Sequence, residues 1–72
     1  MIQRVLGYRQ HQVLSYVRET IAEEGRAPSY GMICHELGIR DRGDVCKLVQ
    51  RLERRGLLRR TGRGRVRRIR LP

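Results

Sequence analysis

The 72-residue sequence predicts a mainly α domain, three helices closed by a small β-hairpin. Three observations lead there. Apolar residues recur at helical spacing in three stretches, and each stretch runs into a glycine, Gly25, Gly38 or Gly56. Beyond Gly56 the apolar period changes from helical to two. The charge changes with it. Up to Cys46 six arginines are balanced by six acids, whereas from Lys47 to Pro72 one lysine and ten arginines meet only Glu53, so this last third carries +10, the formal charge of the whole chain.

The first helix is expected over about residues 8–24, with Val13, Leu14, Val17 and Ile21 inward and Arg9, Arg18, Glu19 and Glu23 opposite. Gly25 supplies a left-handed stop and Pro28 prevents easy continuation. Ser29 offers an N-cap hydroxyl to a short helix over about 30–37, with Ile33 and Leu37 inward and Gly38 closing it. Gly38, Ile39 and Arg40 form a turn. Asp41 then caps a third helix over about 41–55, with Asp44 as an acid of capping-box type at its N3 position. Val45, Leu48, Val49 and Leu52 make an uninterrupted inward stripe, and Arg42, Asp44, Lys47, Gln50, Arg51 and Arg54 form the polar face. A hairpin is expected over about 57–71. Leu57 and Leu58 open its first strand, Gly62 and Gly64 flank Arg63 at a mobile, exposed tip, and Ile69 and Leu71 alternate with Arg68 and Arg70. Ile69 and Leu71, with Leu57 or Leu58, are the residues available to anchor it.

A chain this short forms one domain of modest stability, burying only about 60% of the surface that its unfolded form exposes. With no phenylalanine or tryptophan, the core must come from Val, Leu, Ile and three tyrosines, which excludes a deep substrate cavity. No apolar run approaches the roughly 18 residues that span a bilayer, and no signal-peptide pattern opens the chain, so a cytoplasmic protein with no membrane partner is expected. Cys34 and Cys46 are too few for a disulfide framework and read as reduced thiols. Neither they nor His11 and His35 have metal-ligand spacing, and neither cysteine has a histidine and an acid that the sequence places beside it. No metal, no cofactor and no catalytic activity are therefore expected.

A one-sided cationic surface attracts a polyanion, because fixed cations on a phosphate backbone release its condensed counterions. Sixteen of the seventeen basic residues are arginine, whose planar fork suits phosphate and guanine edges. A GC-rich genome is the alternative reading of such an excess, but it does not explain the asymmetry. Helix, short helix, tight glycine turn, longer helix and basic hairpin is the order of a winged helix-turn-helix, in which the third helix lies in the major groove of double-stranded DNA and the hairpin, or wing, touches backbone or minor groove.

At this point the residues resemble a family, the N-terminal DNA-binding domain of the LexA repressors. The run Tyr-Arg-Gln-His-Gln-Val-Leu from Tyr8 to Leu14 is similar to its opening helix, and Gly25 to Ser29 to its glycine-to-proline connector. Ile33 to Arg40 resembles its second helix and turn, and the likeness continues from Leu52 to Leu58 and ends at Ile69 to Leu71, about nine-tenths of the chain. The resemblance implies a DNA-binding transcriptional regulator. Family members also carry a C-terminal self-cleaving serine/lysine protease domain that dimerises; the chain is expected to be a stand-alone domain lacking it, so neither property is carried over. The positions matching the family's base-contacting residues are Asp41, Gly43, Asp44, Cys46 and Lys47, which do not reproduce its usual polar and acidic set. The same face is implied, and the operator is left open.

Within that face, Lys47 is the leading candidate for a base contact, the alternative being a solvated surface charge. Gln50 and Arg51 suit adenine or guanine edges but lie deeper along the helix, where phosphate is the competing partner; Arg54 follows them, and Arg42 precedes them. Asp44 suits a cytosine amino group or caps its own helix. On the wing, Arg63 and Arg65 are placed for minor groove or phosphate, beside Arg59, Arg60, Arg67 and Arg68, some of which simply keep a small sheet soluble. Lys47, Gln50, Arg63 and Arg65 are all expected to be exposed. The Gly62 to Arg65 stretch also keeps an RNA-binding or ribosome-associated winged helix open, and a protein-interaction adaptor is the other alternative. A monomer is expected in the absence of DNA, with any dimer forming on DNA; Ile2, Val5 and Leu6 are the apolar residues most available for that contact.

Overall fold

The computed structural model describes residues 7–62 and 68–72. In chain order it contains α1 (Tyr8–Glu24), α2 (Tyr30–Leu37), α3 (Arg42–Arg54), β1 (Arg59–Thr61) and β2 (Arg68–Arg70). The three helices pack on one another, and β1 and β2 form an antiparallel two-stranded sheet. This is the arrangement of a winged helix-turn-helix.

The helix boundaries follow from their caps. The Ser29 hydroxyl accepts from the Met32 N–H at 3.1 Å, and the Asp41 carboxylate accepts from the Gly43 N–H at 2.9 Å. Asp44 makes no reciprocal side-chain bond among the described residues: its own N–H donates to the Asp41 carbonyl at 3.0 Å, so a simple N-cap replaces the expected capping box. Gly38 at φ 67° makes the turn between α2 and α3. At the end of α3 the Gly56 N–H donates to Glu53 O at 2.9 Å and the Leu57 N–H to Leu52 O at 3.0 Å, a Schellman closure that uses glycine's left-handed conformation, φ 76°.

The core is built from Val13, Leu14 and Val17 of α1, Ile33 of α2, Val45, Val49 and Leu52 of α3, and Leu58 and Ile69 of the wing. Four expectations are corrected. Thr20 is buried where Ile21 was expected, and Ile21 packs half-buried at the rim, because the helical stripe drifts along α1. Leu57 does not open a strand, because its N–H is already committed to helix closure; pairing starts at Arg59. Leu71 is 39% exposed while Ile69 is 4% exposed, because the ladder ends at the Arg59–Arg70 pair and leaves Leu71 beyond it. Tyr8 is 77% exposed, so only Tyr16 and Tyr30 pack on the core. Of the expected wing, Arg63 and Gly64 at the tip and Arg65 and Arg67 beside it lie outside the described residues, as do the N-terminal Ile2, Val5 and Leu6.

Candidate nucleic-acid interface

Helical geometry gives α3 three flanks. Val45, Val49 and Leu52 face the core. Asp44, Lys47, Arg51 and Arg54 recur along the side away from it, and all four are exposed, as are Asp41, Arg42 and Gly43 at the N-terminus. Cys46, Gln50 and Glu53 form the third flank, towards the wing, and all three are half-buried. The Gln50 side-chain amide donates to Cys46 Sγ at 3.7 Å, so Gln50 is part of this flank and does not stand free in solvent as expected.

Folding also redistributes the charge. Arg9 and Arg40, from the part of the sequence that sums to zero, come together with Lys47 and Arg51 around an open cleft of about 490 Å³ that Gly38, Ile39, Asp44 and Leu48 complete. Arg9 is fixed there by the end of α2: its guanidinium donates to the Leu37 carbonyl at 2.8 Å and to Gln12 Oε1 at 3.2 Å, a cation satisfying the carbonyl end of a helix. Sequence reasoning missed both arginines, because charge summed along the chain does not register that the turn brings α1 beside α3. Arg42, the first residue of α3, is laid across the start of α2, so that a Cβ on Gly31 would lie 2.8 Å from Arg42 Nη2.

On the wing the register pairs Arg59 with Arg70, Arg60 with Ile69, and Thr61 with Arg68. Directly opposed residues share a face of the sheet, so Arg60 shares the inward face of Ile69, whereas Arg59, Arg68 and Arg70 are exposed. The Arg60 guanidinium donates through Nε to Glu53 Oε1 at 2.9 Å and through Nη1 to Cys46 Sγ at 3.8 Å. Burial alone would lower its pKa, but contact with Tyr30 and the Glu53 carboxylate together raise it above the ordinary arginine value. The Tyr30 hydroxyl is close enough to help hold that charge, yet its geometry falls short of a hydrogen bond and its oxygen is buried without a partner among the described residues. Of the other wing arginines named from sequence, Arg63, Arg65 and Arg67 lie outside the described residues.

The arrangement provides cations and a groove-sized helix face. Cys34 and Cys46 are free thiols, and the described residues hold no group of three or more metal-ligating side chains. No helix among them is long and apolar enough to cross a membrane.

Comparison with known proteins agrees with this geometry. The sequence profile of the LexA DNA binding domain matches residues 3–67. The chain is 44% identical over 52 residues to the LexA repressor of Syntrophotalea carbinolica, an overlap of 72% of this chain and 26% of that protein. It is 39% identical over 55 residues to LexA repressor 1 of Nocardia farcinica, covering 76% of this chain and 26% of the relative. For the LexA repressor of Clostridium kluyveri the identity is 33% over 52 residues, with 72% and 26% covered. The chain thus spans about a quarter of the length of the curated relatives that it matches.

Proposed function

This chain belongs to the LexA DNA-binding domain family, and on that premise we propose that it binds double-stranded DNA sequence-specifically and regulates transcription without a catalytic step of its own. The exposed row Lys47, Arg51 and Arg54 along α3, continued by Arg9 and Arg40 at the cleft, is the observation that carries the reading. It offers a helix for the major groove and cations on one flank for the adjoining backbone, with the exposed wing residues Arg59, Arg68 and Arg70 as a second set.

Lys47, at the N-terminal end of the exposed cationic row, is assigned to base readout together with the α3 N-terminal residues Asp41, Arg42, Gly43 and Asp44. Arg9, Arg40, Arg51 and Arg54 are assigned to phosphate. Gln50 and Cys46 reach DNA only from the wing side of the helix. Of the wing residues, Arg59 and Arg68 belong with phosphate, and Arg63, Arg65 and Arg67 retain the sequence-based assignment to backbone or minor groove.

Selection of bound duplexes from a random pool tests the reading, because it reports preference, site length and half-site symmetry together. Lys47→Ala is expected to change the selected consensus, with about 1–3 kcal/mol lost at the contacted base pair; Arg9→Ala and Arg40→Ala are expected to weaken all sequences alike. An unchanged consensus in Lys47→Ala removes that residue from base readout. The exposed large apolar side chains among the described residues are Tyr8, Met32 and Leu71. They supply little for a stable interface of standard size, which supports a monomer in the absence of DNA and pairing only on a palindromic site. A tight dimer in analytical ultracentrifugation without DNA contradicts that part.

A further inference from the structure

Glu53 is the single acid in the +10 segment from Lys47 to Pro72, and it meets one particular arginine. Arg60 occupies the inward register of β1, opposite Ile69, and holds Glu53 Oε1 at 2.9 Å and Cys46 Sγ at 3.8 Å, both on α3. Its side chain is only 16% exposed, and that of Glu53 36%. Each wing strand is three residues long, and an isolated two-stranded hairpin is marginal in water, so the direction of the wing must be imposed by what it packs on. Leu58 and Ile69 attach it, but apolar burial is non-directional. A planar guanidinium held at two of its nitrogens by two residues of one helix is directional.

We propose that Glu53 and Arg60 are positioning residues, a tie that sets the angle of the wing to α3 so that Arg59 and Arg68 reach the backbone when α3 occupies the groove. This rests on the DNA-binding reading. It takes Arg60 out of phosphate contact and gives an acid a constructive part in binding a polyanion. The neighbouring half-buried Gln50, bonded to the same sulfur, completes the bracket on the helix side.

The test turns on a sign. If Glu53 is only a misplaced negative charge, Glu53→Gln raises the net charge by one and tightens binding to duplex DNA; Arg60→Lys leaves the charge unchanged and does nothing. With the tie, both variants weaken binding by roughly tenfold, the worth of a charged hydrogen bond at its lower end, and the salt dependence becomes shallower by about one counterion as the wing loses a phosphate. Both variants keep Leu58 and Ile69 and are checked by circular dichroism to be folded, so loss of folded protein does not imitate the effect.

The unliganded protein gives a second readout. In the native chain the Arg60 Nε–H exchanges slowly with water in nitrogen-15 spectra, and in Glu53→Gln it exchanges as fast as that of exposed Arg59. Rapid exchange in the native chain overturns the tie whatever happens with DNA. A slow Arg60 signal with unchanged or tighter binding by Glu53→Gln overturns its positioning role. Failure of the native chain to bind any duplex at low salt refutes the DNA-binding reading and the positioning role with it, while the exchange measurement still reports the contact in the free protein.

Discussion

Ile69→Ala tests how the wing is attached, and its neighbour Leu71 supplies the control. Ile69 is the one buried residue of β2, and the substitution removes three carbons from it. At about 0.8 kcal/mol per buried methylene the transfer loss is about 2.4 kcal/mol. A cavity contribution adds to this, but the site borders a groove lined by Ile21, Ala27, Pro28 and Leu71, which lets the surroundings relax or water enter. The total therefore belongs near the lower end of the usual aliphatic-to-alanine range, about 2.5–3 kcal/mol. For a domain whose whole stability is on the order of 4–11 kcal/mol, this is a large share. With a urea slope of about 1 kcal/mol/M, the denaturation midpoint followed by circular dichroism should fall by about 2.5 M. Leu71→Ala should cost about 1.5 kcal/mol or less, because its side chain is already partly in water. Equal costs for the two, or less than about 0.5 kcal/mol for Ile69→Ala, which is the scatter of ordinary surface substitutions, would refute the reasoning that the ladder ends before Leu71 and that Ile69 alone pins β2.

Two further outcomes are expected. Ser29→Ala and Asp41→Ala should each destabilise by about 1 kcal/mol through loss of an N-cap bond, lowering Tm by about 4–8 °C in scanning calorimetry; no change in Tm would mean that water replaces the cap without cost. Gly31→Ala should raise stability by about 0.5–1 kcal/mol, since the position is helical, but weaken DNA binding, because the new Cβ displaces Arg42 from its place across α2. A more stable variant with undiminished affinity would show that the placement of Arg42 does not matter for binding.

The helices were legible because their signals are local. The stripe Val45, Leu48, Val49 and Leu52, the caps Ser29 and Asp41 and the glycine stops all depend on residues within a few positions of one another, and the structure places them as expected, with Leu48 half-buried at the edge. The wing was less legible because its boundaries depend on competition. Leu57 looks like a strand residue until the closure of α3 takes its N–H, and Leu71 looks like an anchor although the ladder ends one residue before it, at the Arg59–Arg70 pair. The candidate interface is hardest to read, because it is assembled across elements. Arg9 and Arg40 are hidden by the neutral sum of the first two thirds of the chain, and only folding brings them to Lys47 and Arg51. Arg60 was grouped with the other wing arginines, although two signals pointed elsewhere: it shares the parity of Leu58 along the strand, and the +10 segment holds one acid, seven residues before it.

We propose that the cations of α3, the cleft and the wing form one surface for a phosphate backbone. The most direct test is the affinity for duplex DNA as a function of salt. If about five phosphates are neutralised, a plot of log K against log salt should be linear with a slope of about −4 to −5. A slope near zero, or no binding at low salt, would contradict it.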